Sequence, residues 1–334
     1  MKEILYLVVP CYNEEEVLHE TSSRLLEKLN SMIENNVVSE YSKILFVNDG
    51  SKDRTWKIIR ELHEQNNIFS GINLSRNKGH QNALLAGLMT AKKYAHMVIS
   101  LDADLQDDIN IIDKFVEEYY KGNDIVYGVR RSRDKDTFFK KNSALAFYKL
   151  MNKMGGELIY NHADYRLMSK RALEALSEYE EVNLFLRGIV PLIGYDYSIV
   201  EYERNERFAG ESKYPLKKML LFAMDGITSF SIKPIRIISV LGFVIFILSF
   251  LALIYSLIVN FLDKTVAGWT SIVISIWMIG GIQLLSLGVI GEYIGKIYSE
   301  TKKRPRFIIK DTLIDIDGEK LNGVTQEDKE YIFR

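Results

Sequence analysis

The sequence predicts an α/β domain on a largely parallel sheet, followed by a two-helix transmembrane hairpin with amphipathic helices beside it. Three observations point there. From residue 3 to about 130, short β-branched runs alternate with amphipathic charged segments, the pattern of βαβα folds. Charged residues make up 26% of the chain, yet none falls between Ile237 and Leu262 or between Thr265 and Gly291. The residues directly after each predicted strand are unusually polar, and an open α/β sheet binds its ligands at those strand ends.

Strands are expected at 4–9, 44–47, 70–74, 97–101 and 125–127, short β-branched runs between the charged segments. Between them, 14–35, 53–65, 79–91 and 110–121 carry apolar residues at helical period. After residue 135 the pattern changes to segments mixing Lys with Phe, Leu and Met, at 138–153 and 214–230. Such helices either pack on a core or lie in a membrane surface, and the second, next to a charge-free run, is assigned to the membrane. The two charge-free runs each exceed the roughly 20 residues that cross about 30 Å of hydrocarbon. The expected organisation is a cytoplasmic domain at 1–213, a juxtamembrane helix at 214–234, spans at 235–262 and 265–294, and a cytoplasmic tail at 295–334. The polar sequence from Asp311 onward suggests no element.

Charge gives the orientation. Lys217, Lys218, Lys233 and Arg236 precede the first span and Lys296, Lys302, Lys303, Arg304 and Arg306 follow the second, against Asp263 and Lys264 between them. The positive-inside rule puts both termini in the cytoplasm of a multi-pass protein at the cell membrane, with Trp269 at the far interface. No cleavable signal is expected, because the first apolar run is short and has no small-residue cleavage pattern after it. A net charge of −1 argues against a nucleic-acid partner. The single cysteine, Cys11, excludes an internal disulfide and reads as a small packed residue. The five histidines lack metal-ligand spacing, and His80 reads as a cap or a neighbour of the ligand site.

Chemistry concentrates in three motifs. The first strand ends in Pro10-Cys11-Tyr12-Asn13-Glu14-Glu15, where Asn13 is placed to cap a helix. The second runs into Asn48-Asp49-Gly50-Ser51-Lys52-Asp53, a tight turn whose carboxylate can accept from a base N–H or a ribose hydroxyl, with Asp53 capping the next helix. The sharpest is Asp102-Ala103-Asp104-Leu105-Gln106, directly after the fourth strand. Two carboxylates one residue apart offer hard oxygen ligands to Mg²⁺ or Mn²⁺, leaving other positions of the ion for diphosphate oxygens. A divalent ion offsets the charge that builds on a departing nucleotide diphosphate.

In this order and spacing, Val8 to Glu14, Val47 to Ser51 and Asp102 to Gln106 resemble the family 2 glycosyltransferases of GT-A fold. Asp164-Tyr165-Arg166, the run from Arg207 to Lys213, and Gly291-Glu292-Tyr293-Ile294-Gly295 followed by Arg304-Pro305 narrow the resemblance to polyprenyl-phosphate glycosyltransferases. Bactoprenol glucosyltransferases and dolichol-phosphate mannose synthases belong to that group, and the likeness covers about residues 3 to 310. It implies a nucleotide-sugar donor, a polyprenyl-phosphate acceptor, a bilayer, a Mg²⁺ or Mn²⁺ cofactor, and homo-oligomers such as tetramers. It implies that Pro10, Tyr12, Asn13, Glu14, Asp49 and Ser51 line the donor pocket with Asp102, Ala103 and Arg130, while Asp102, Asp104 and Gln106 hold the metal. Asp164 matches a residue proposed as base and, with Asp104, stands as catalytic; Arg166, Arg207, Ser212 and Lys213 grip the lipid phosphate.

A phosphate monoester has a second pKa near 6, so the acceptor already carries an oxyanion at neutral pH. Asp164 is therefore expected to orient rather than abstract, and Asp164→Asn to slow turnover less than Asp104→Asn. A processive polysaccharide synthase is disfavoured, since no Arg-Trp pair and hence no Gln-x-x-Arg-Trp motif occurs. A nicotinamide dehydrogenase is disfavoured by the lack of Gly-x-Gly-x-x-Gly after the first strand. A non-catalytic nucleotide-binding scaffold would need neither the paired aspartates nor Arg207 and Lys213.

Overall fold

A computed structural model describes residues 2–131, 162–182, 185–203, 269–316 and 319–322, with isolated positions between 235 and 254. The amphipathic segments at 138–153 and 214–230, and with them Arg207, Ser212 and Lys213, lie outside the described residues. The chain divides into two compact units, one of Met1–Lys149, Glu157–Tyr214 and Arg304–Arg334, the other of Leu150–Gly156 and Pro215–Lys303.

The first unit opens as four β–α repeats: β1 (Leu5–Cys11), α1 (Leu18–Glu34), β2 (Lys43–Asn48), α2 (Thr55–Gln65), β3 (Phe69–Leu74), α3 (His80–Ala91), β4 (Met97–Ser100) and α4 (Ile112–Tyr120), the last entered by a 3₁₀ turn. Then follow β5 (Ile125–Arg130), β6 (His162–Ser169), α5 (Lys170–Ser177), α6 (Leu186–Leu192) and β7 (Tyr197–Tyr202). Two strands beyond the apolar region, β8 (Ile309–Ile316) and β9 (Glu319–Asn322), join the same sheet, which among the described residues has nine strands in the order β7-β5-β6-β4-β1-β2-β3-β8-β9.

The centre is parallel, as expected: β1 pairs with β2 and β4, and β2 with β3. Every residue of β1 is buried because helices cover both faces, which is why its sequence is continuously apolar rather than alternating. Helix α3 comes especially close. A Cβ on Gly87 would lie 2.4 Å from Val8 Cγ1 and 2.7 Å from Val47 Cγ2, so only glycine lets this helix seat on β1 and β2. Leu18, Leu25, Leu29 and Met32 of α1 bury one stripe at helical spacing.

The expected break of β1 at Pro10 does not occur; the strand continues to Cys11. Val8 accepts from the Leu101 N–H at 3.1 Å, and the β1–β4 ladder ends at Val8 opposite Ser100. Position 10 faces the same neighbour beyond that ladder's end, so proline's missing donor leaves nothing unpaired. At the flanks the sheet turns antiparallel. β6 runs against both β4 and β5, placing Arg166 opposite Ser100 and Asp164 beyond β4, level with the loop that β4 feeds. β8 runs against β3, so the tail from Asp311, which suggested no element, supplies strands of the same sheet.

In the second unit, α7 (Trp269–Thr301) has 33 residues, about 50 Å at ~1.5 Å per residue. Its stretch Met278–Thr301 is long and apolar enough to cross a membrane. Leu284, Leu285 and Leu287 are each more than 60% exposed, an apolar surface suited to lipid rather than water. In the first expected span the described positions are helical, and Val240, Leu241 and Phe243 are exposed.

Candidate active site

The loops after β1 and β2 are laced to one another. Asn13 takes a left-handed φ of 55°, its N–H donates to Ser51 Oγ (3.0 Å), and the Lys52 N–H donates back to Asn13 Oδ1 (2.9 Å). The Glu14 N–H donates to Thr55 Oγ1 (2.9 Å) and the Glu15 N–H to Asp53 Oδ2 (3.2 Å). These bonds hold the segment out of the helix, so α1 starts at Leu18 rather than at residue 14, and Asn13 ties loops together instead of capping. Asp53 does serve its helix, accepting the Thr55 N–H at 3.0 Å. Tyr12 is 41% exposed at this edge, whereas Pro10 is buried within β1.

Asp49 is 2% exposed, and its carboxylate accepts the N–H groups of Lys78 (2.7 Å) and Gly79 (2.9 Å). Burial raises its pKa and these two bonds oppose the rise. Asp49 thus shapes the loop that leads into α3, and Gly50 makes this possible. At φ 62° it turns so tightly that a Cβ would sit 2.5 Å from the backbone of Arg76 and Asn77. Cys11 is the packed residue expected: burial, then Glu14 and Asp53, push its thiol well above the ordinary range.

After β4 the chain turns through Leu105 at φ 55°. Thr21 Oγ1 donates to the Ala103 carbonyl at 2.7 Å, pinning the loop to α1, and the Gln106 N–H donates to Asp104 Oδ1 at 3.2 Å. Ala103 is 4% exposed, while the Asp102 side chain is 41% exposed. The donor set suits Mg²⁺ or Mn²⁺: hard carboxylate oxygens, one of them well exposed, on a loop fixed at both ends. Among the described residues no group of three or more His, Cys, Asp or Glu side chains could hold a metal ion.

Asp164 stands beside this loop and is bound far more heavily. Arg187 grips it with two bonds, Nε to Oδ1 at 3.2 Å and Nη2 to Oδ2 at 3.0 Å. Arg166 Nη2 donates to Oδ1 at 3.4 Å, and His80 Nε2 lies 3.6 Å from Oδ2. Burial alone would raise this carboxyl, but Arg187, the His80 hydrogen bond and Arg166 hold it well below the usual range. His80 also lies 3.7 Å from Asp102 Oδ1 and so joins the two carboxylates. Desolvation in the cleft works against its imidazolium, but the Asp164 hydrogen bond and then the charges of Asp102 and Asp164 push its pKa up to about 9.

Arg166, expected at the lipid phosphate, is fully buried and spends its guanidinium on Asp164 and on the Leu186 carbonyl. It supports the site from beneath. Arg130 is the last residue of β5 rather than a loop residue past it. Its Nε donates to Tyr202 Oη (3.2 Å) and its Nη2 to Asp107 Oδ1 (3.4 Å), and Tyr202 Oη also donates to Asp107. Burial, then the charge of Asp102, raises the Asp107 carboxyl to about 6.

The structure therefore brings Asp102, Asp164 and Arg166 together, with Asp104 and Gln106 on the adjoining turn. Arg187, Asp107 and Tyr202 were not expected. Asp107 directly follows the acidic motif, a signal that was legible; Arg187 and Tyr202 come together with their partners only through the fold.

The Glycosyl transferase family 2 sequence model matches residues 6–177, which holds β1 to α5 and the whole Asp102–Asp164 cluster except Arg187. The chain belongs to glycosyltransferase family 2. Its α/β sheet is of the GT-A kind. An uncharacterised glycosyltransferase, YkoT, of Bacillus subtilis strain 168 is 57% identical over 98% of this chain and 97% of its own. A prophage bactoprenol glucosyl transferase homolog of Escherichia coli K12 is 40% identical over 91% of this chain and 97% of its own. The bactoprenol glucosyl transferase of Shigella phage SfX is 40% identical over 91% and 98%. The solved structure of glucosyl-3-phosphoglycerate synthase from Mycobacterium tuberculosis, with Mn²⁺, UDP and glucosyl-3-phosphoglycerate, overlaps 68% of this chain and 78% of its own. At TM-score 0.41 and 14% identity that likeness is too slight to argue from.

Proposed function

We propose that this family 2 glycosyltransferase moves a hexose, glucose from UDP-glucose first, onto undecaprenyl or another polyprenyl phosphate at the cytoplasmic face of the membrane. The product serves modification of cell-envelope glycans. One observation carries this reading: 40% identity to a bactoprenol glucosyl transferase across 91% of the chain, a span that includes both the acidic motif and the apolar helix α7. N-acetylglucosamine, aminoarabinose-type sugars and mannose are the next donors to test.

In this reading the loops after β1 and β2 receive the nucleotide, through Pro10, Tyr12, Asn13, Glu14, Asp49 and Ser51. Asp102 and Asp104, assisted by Gln106, hold Mg²⁺ or Mn²⁺, which when bound supplies positive charge to the diphosphate. Arg130, fixed by Asp107 and Tyr202, sits beside the donor phosphates. A phosphate oxygen of the acceptor attacks the anomeric carbon, a new C–O bond forms, and the bond to the diphosphate breaks with its electron pair leaving on the nucleotide. One displacement inverts the anomeric centre. Arg207, Ser212 and Lys213 belong to the acceptor side. The hairpin at 235–262 and 265–294 places both termini in the cytoplasm, and the assembly is a homo-oligomer.

The test is transfer by the full-length protein in detergent with UDP-glucose, undecaprenyl phosphate and Mn²⁺ or Mg²⁺. A lipid-extractable glucosyl product that disappears on chelation is expected. Full-speed synthesis after thorough chelation, or transfer to water-soluble acceptors alone, defeats the reading.

A further inference from the structure

Asn48 and Asn73 are buried amides at the ligand ends of β2 and β3, strands that are otherwise largely apolar. A buried amide without partners is costly, and these two find theirs in one file of polar groups that starts on β8. Asp311 Oδ2 accepts from Asn73 Nδ2 (2.8 Å), and Asn73 Oδ1 accepts from Asn48 Nδ2 (2.7 Å). Asn48 Oδ1 accepts the Ser51 N–H (3.3 Å), and Ser51 Oγ accepts the Asn13 N–H (3.0 Å). The file crosses β8, β3 and β2 and ends in the loop after β1. Apolar side chains would hold these strands together as well; a fully satisfied polar file adds a fixed geometry.

The chain entering β8 also fastens the loop after β3. The β3–β8 register shifts between Asn73 and Leu74, and past this irregularity the Ser75 N–H donates to the Ile308 carbonyl at 2.9 Å, beyond the end of β3. Lys78 Nζ donates to the Pro305 carbonyl at 3.4 Å, and Arg306 Nη2 donates to the Tyr179 carbonyl at 2.9 Å, just after α5. Loop 75–79 thus lies between two holds. Residues 305–308 take one side of it, and Asp49 accepts its Lys78 and Gly79 N–H groups on the other. This stretch, opened by Arg304-Pro305, lies outside residues 6–177 of the family match.

We infer that residues 305–311 are a positioning element of the donor site: the chain that follows α7 sets the loops after β1, β2 and β3 for the nucleotide. This rests on the nucleotide-sugar reading above and deepens it, because donor binding then depends on a segment remote in sequence from the donor motifs.

UDP binding and steady-state kinetics of the full-length protein in detergent test it. Asn73→Asp sets two carboxylates against each other at the first link of the file. It is expected to weaken UDP binding and raise the UDP-glucose KM about 10-fold, with the undecaprenyl phosphate KM within about twofold. Adding Asp311→Asn restores a donor and an acceptor with their places exchanged, and should return UDP affinity to within about threefold of the unmodified protein. A merely structural role would lower the folded fraction and leave both KM values unmoved. Where Asn73→Asp fails to fold, hydrogen exchange of the unmodified protein decides: UDP should slow exchange across 306–311 by about twofold or more, since coupling between strand and nucleotide is reciprocal. Unchanged UDP affinity in Asn73→Asp, a weakening that Asp311→Asn does not repair, or exchange at 306–311 indifferent to bound UDP overturns the inference alone. An unmodified protein that binds no UDP defeats the donor reading and the inference with it.

Discussion

Asp102 and Asp164 stand at the same edge of the sheet, joined through one imidazole, and are held in opposite ways. The Asp102 side chain is 41% exposed and, among the described residues, has His80 at 3.7 Å as its ion-pair partner. Asp164 is 7% exposed and meets three cationic groups. A carboxylate left in water keeps its lone pairs for a ligand; one taken out of water has to be neutralised by the protein, and its charge is then spent. Two aspartates equally prominent in the sequence are thus held differently, the first left open to a ligand and the second built into the architecture, and in the proposed reading only the first takes part in the chemistry.

The largest expected effect breaks the architectural one. Asp164→Asn leaves Arg166 and Arg187 facing a neutral amide, and removing one partner of a buried ion pair costs about 3–5 kcal/mol. The measurement is thermal unfolding of the protein in detergent, with UDP binding as a check on the residual fold. An unchanged midpoint in Asp164→Asn would show that the two carboxylates are not held differently after all. Asp102→Asn is the counterpart: its midpoint should stay within a degree or two, while turnover falls about 10²–10³-fold through lost stabilisation of the leaving diphosphate. Among molecules that remain folded, Asp164→Asn should still turn over faster than Asp104→Asn.

How legible this contrast was depends on what carried each half. The strands β1 to β5 announce themselves because burial on both faces demands unbroken apolar runs, and the acidic motif follows the fourth of them directly. β6 does not, because His-Ala-Asp-Tyr-Arg-Leu-Met-Ser puts two charged residues inside a fully buried strand. Asp164 and Arg166 were marked by resemblance alone, and nothing local says that they pair with each other. Arg187 lies 23 positions from Asp164 on a separate short helix, so their meeting is a product of tertiary packing. β8 hid differently: Ile-Lys-Asp-Thr-Leu-Ile-Asp-Ile carries three charged residues and reads as a polar tail, because this strand, paired between β3 and β9, is only partly buried.

That strand yields a smaller test, because it reaches the site through polar side chains. Asn73 Nδ2 donates to Asp311 Oδ2 (2.8 Å), Asn48 Nδ2 donates to Asn73 Oδ1 (2.7 Å), and Asn48 Oδ1 accepts the Ser51 N–H (3.3 Å). Asp311→Ala removes the outermost link and should cost about 1 kcal/mol, as for a single net hydrogen bond. A donor KM raised by about twofold, with acceptor KM unmoved, would place the strand's influence on the nucleotide side.

The smallest effect concerns the imidazole that joins the two carboxylates. His80 has a folded-state pKa of about 9 against an ordinary 6.5, so its stabilising contribution is complete below 6.5 and is lost as pH rises through 9. The groups that set this are Asp164, Asp102 and, in opposition, Arg187. With 39% of its side chain exposed, solvent screens much of the gain, and the shift in midpoint should be modest. His80→Gln keeps a hydrogen-bond donor without the charge, so in a chelator its midpoint should trail the parent most below pH 6.5 and converge above 9. Mn²⁺ at Asp102 removes one of the two carboxylates that favour the imidazolium, so adding it should move that convergence to lower pH. A gap between the two proteins that is constant across pH, or indifferent to Mn²⁺, would sever the link between the exposed carboxylate and the buried one.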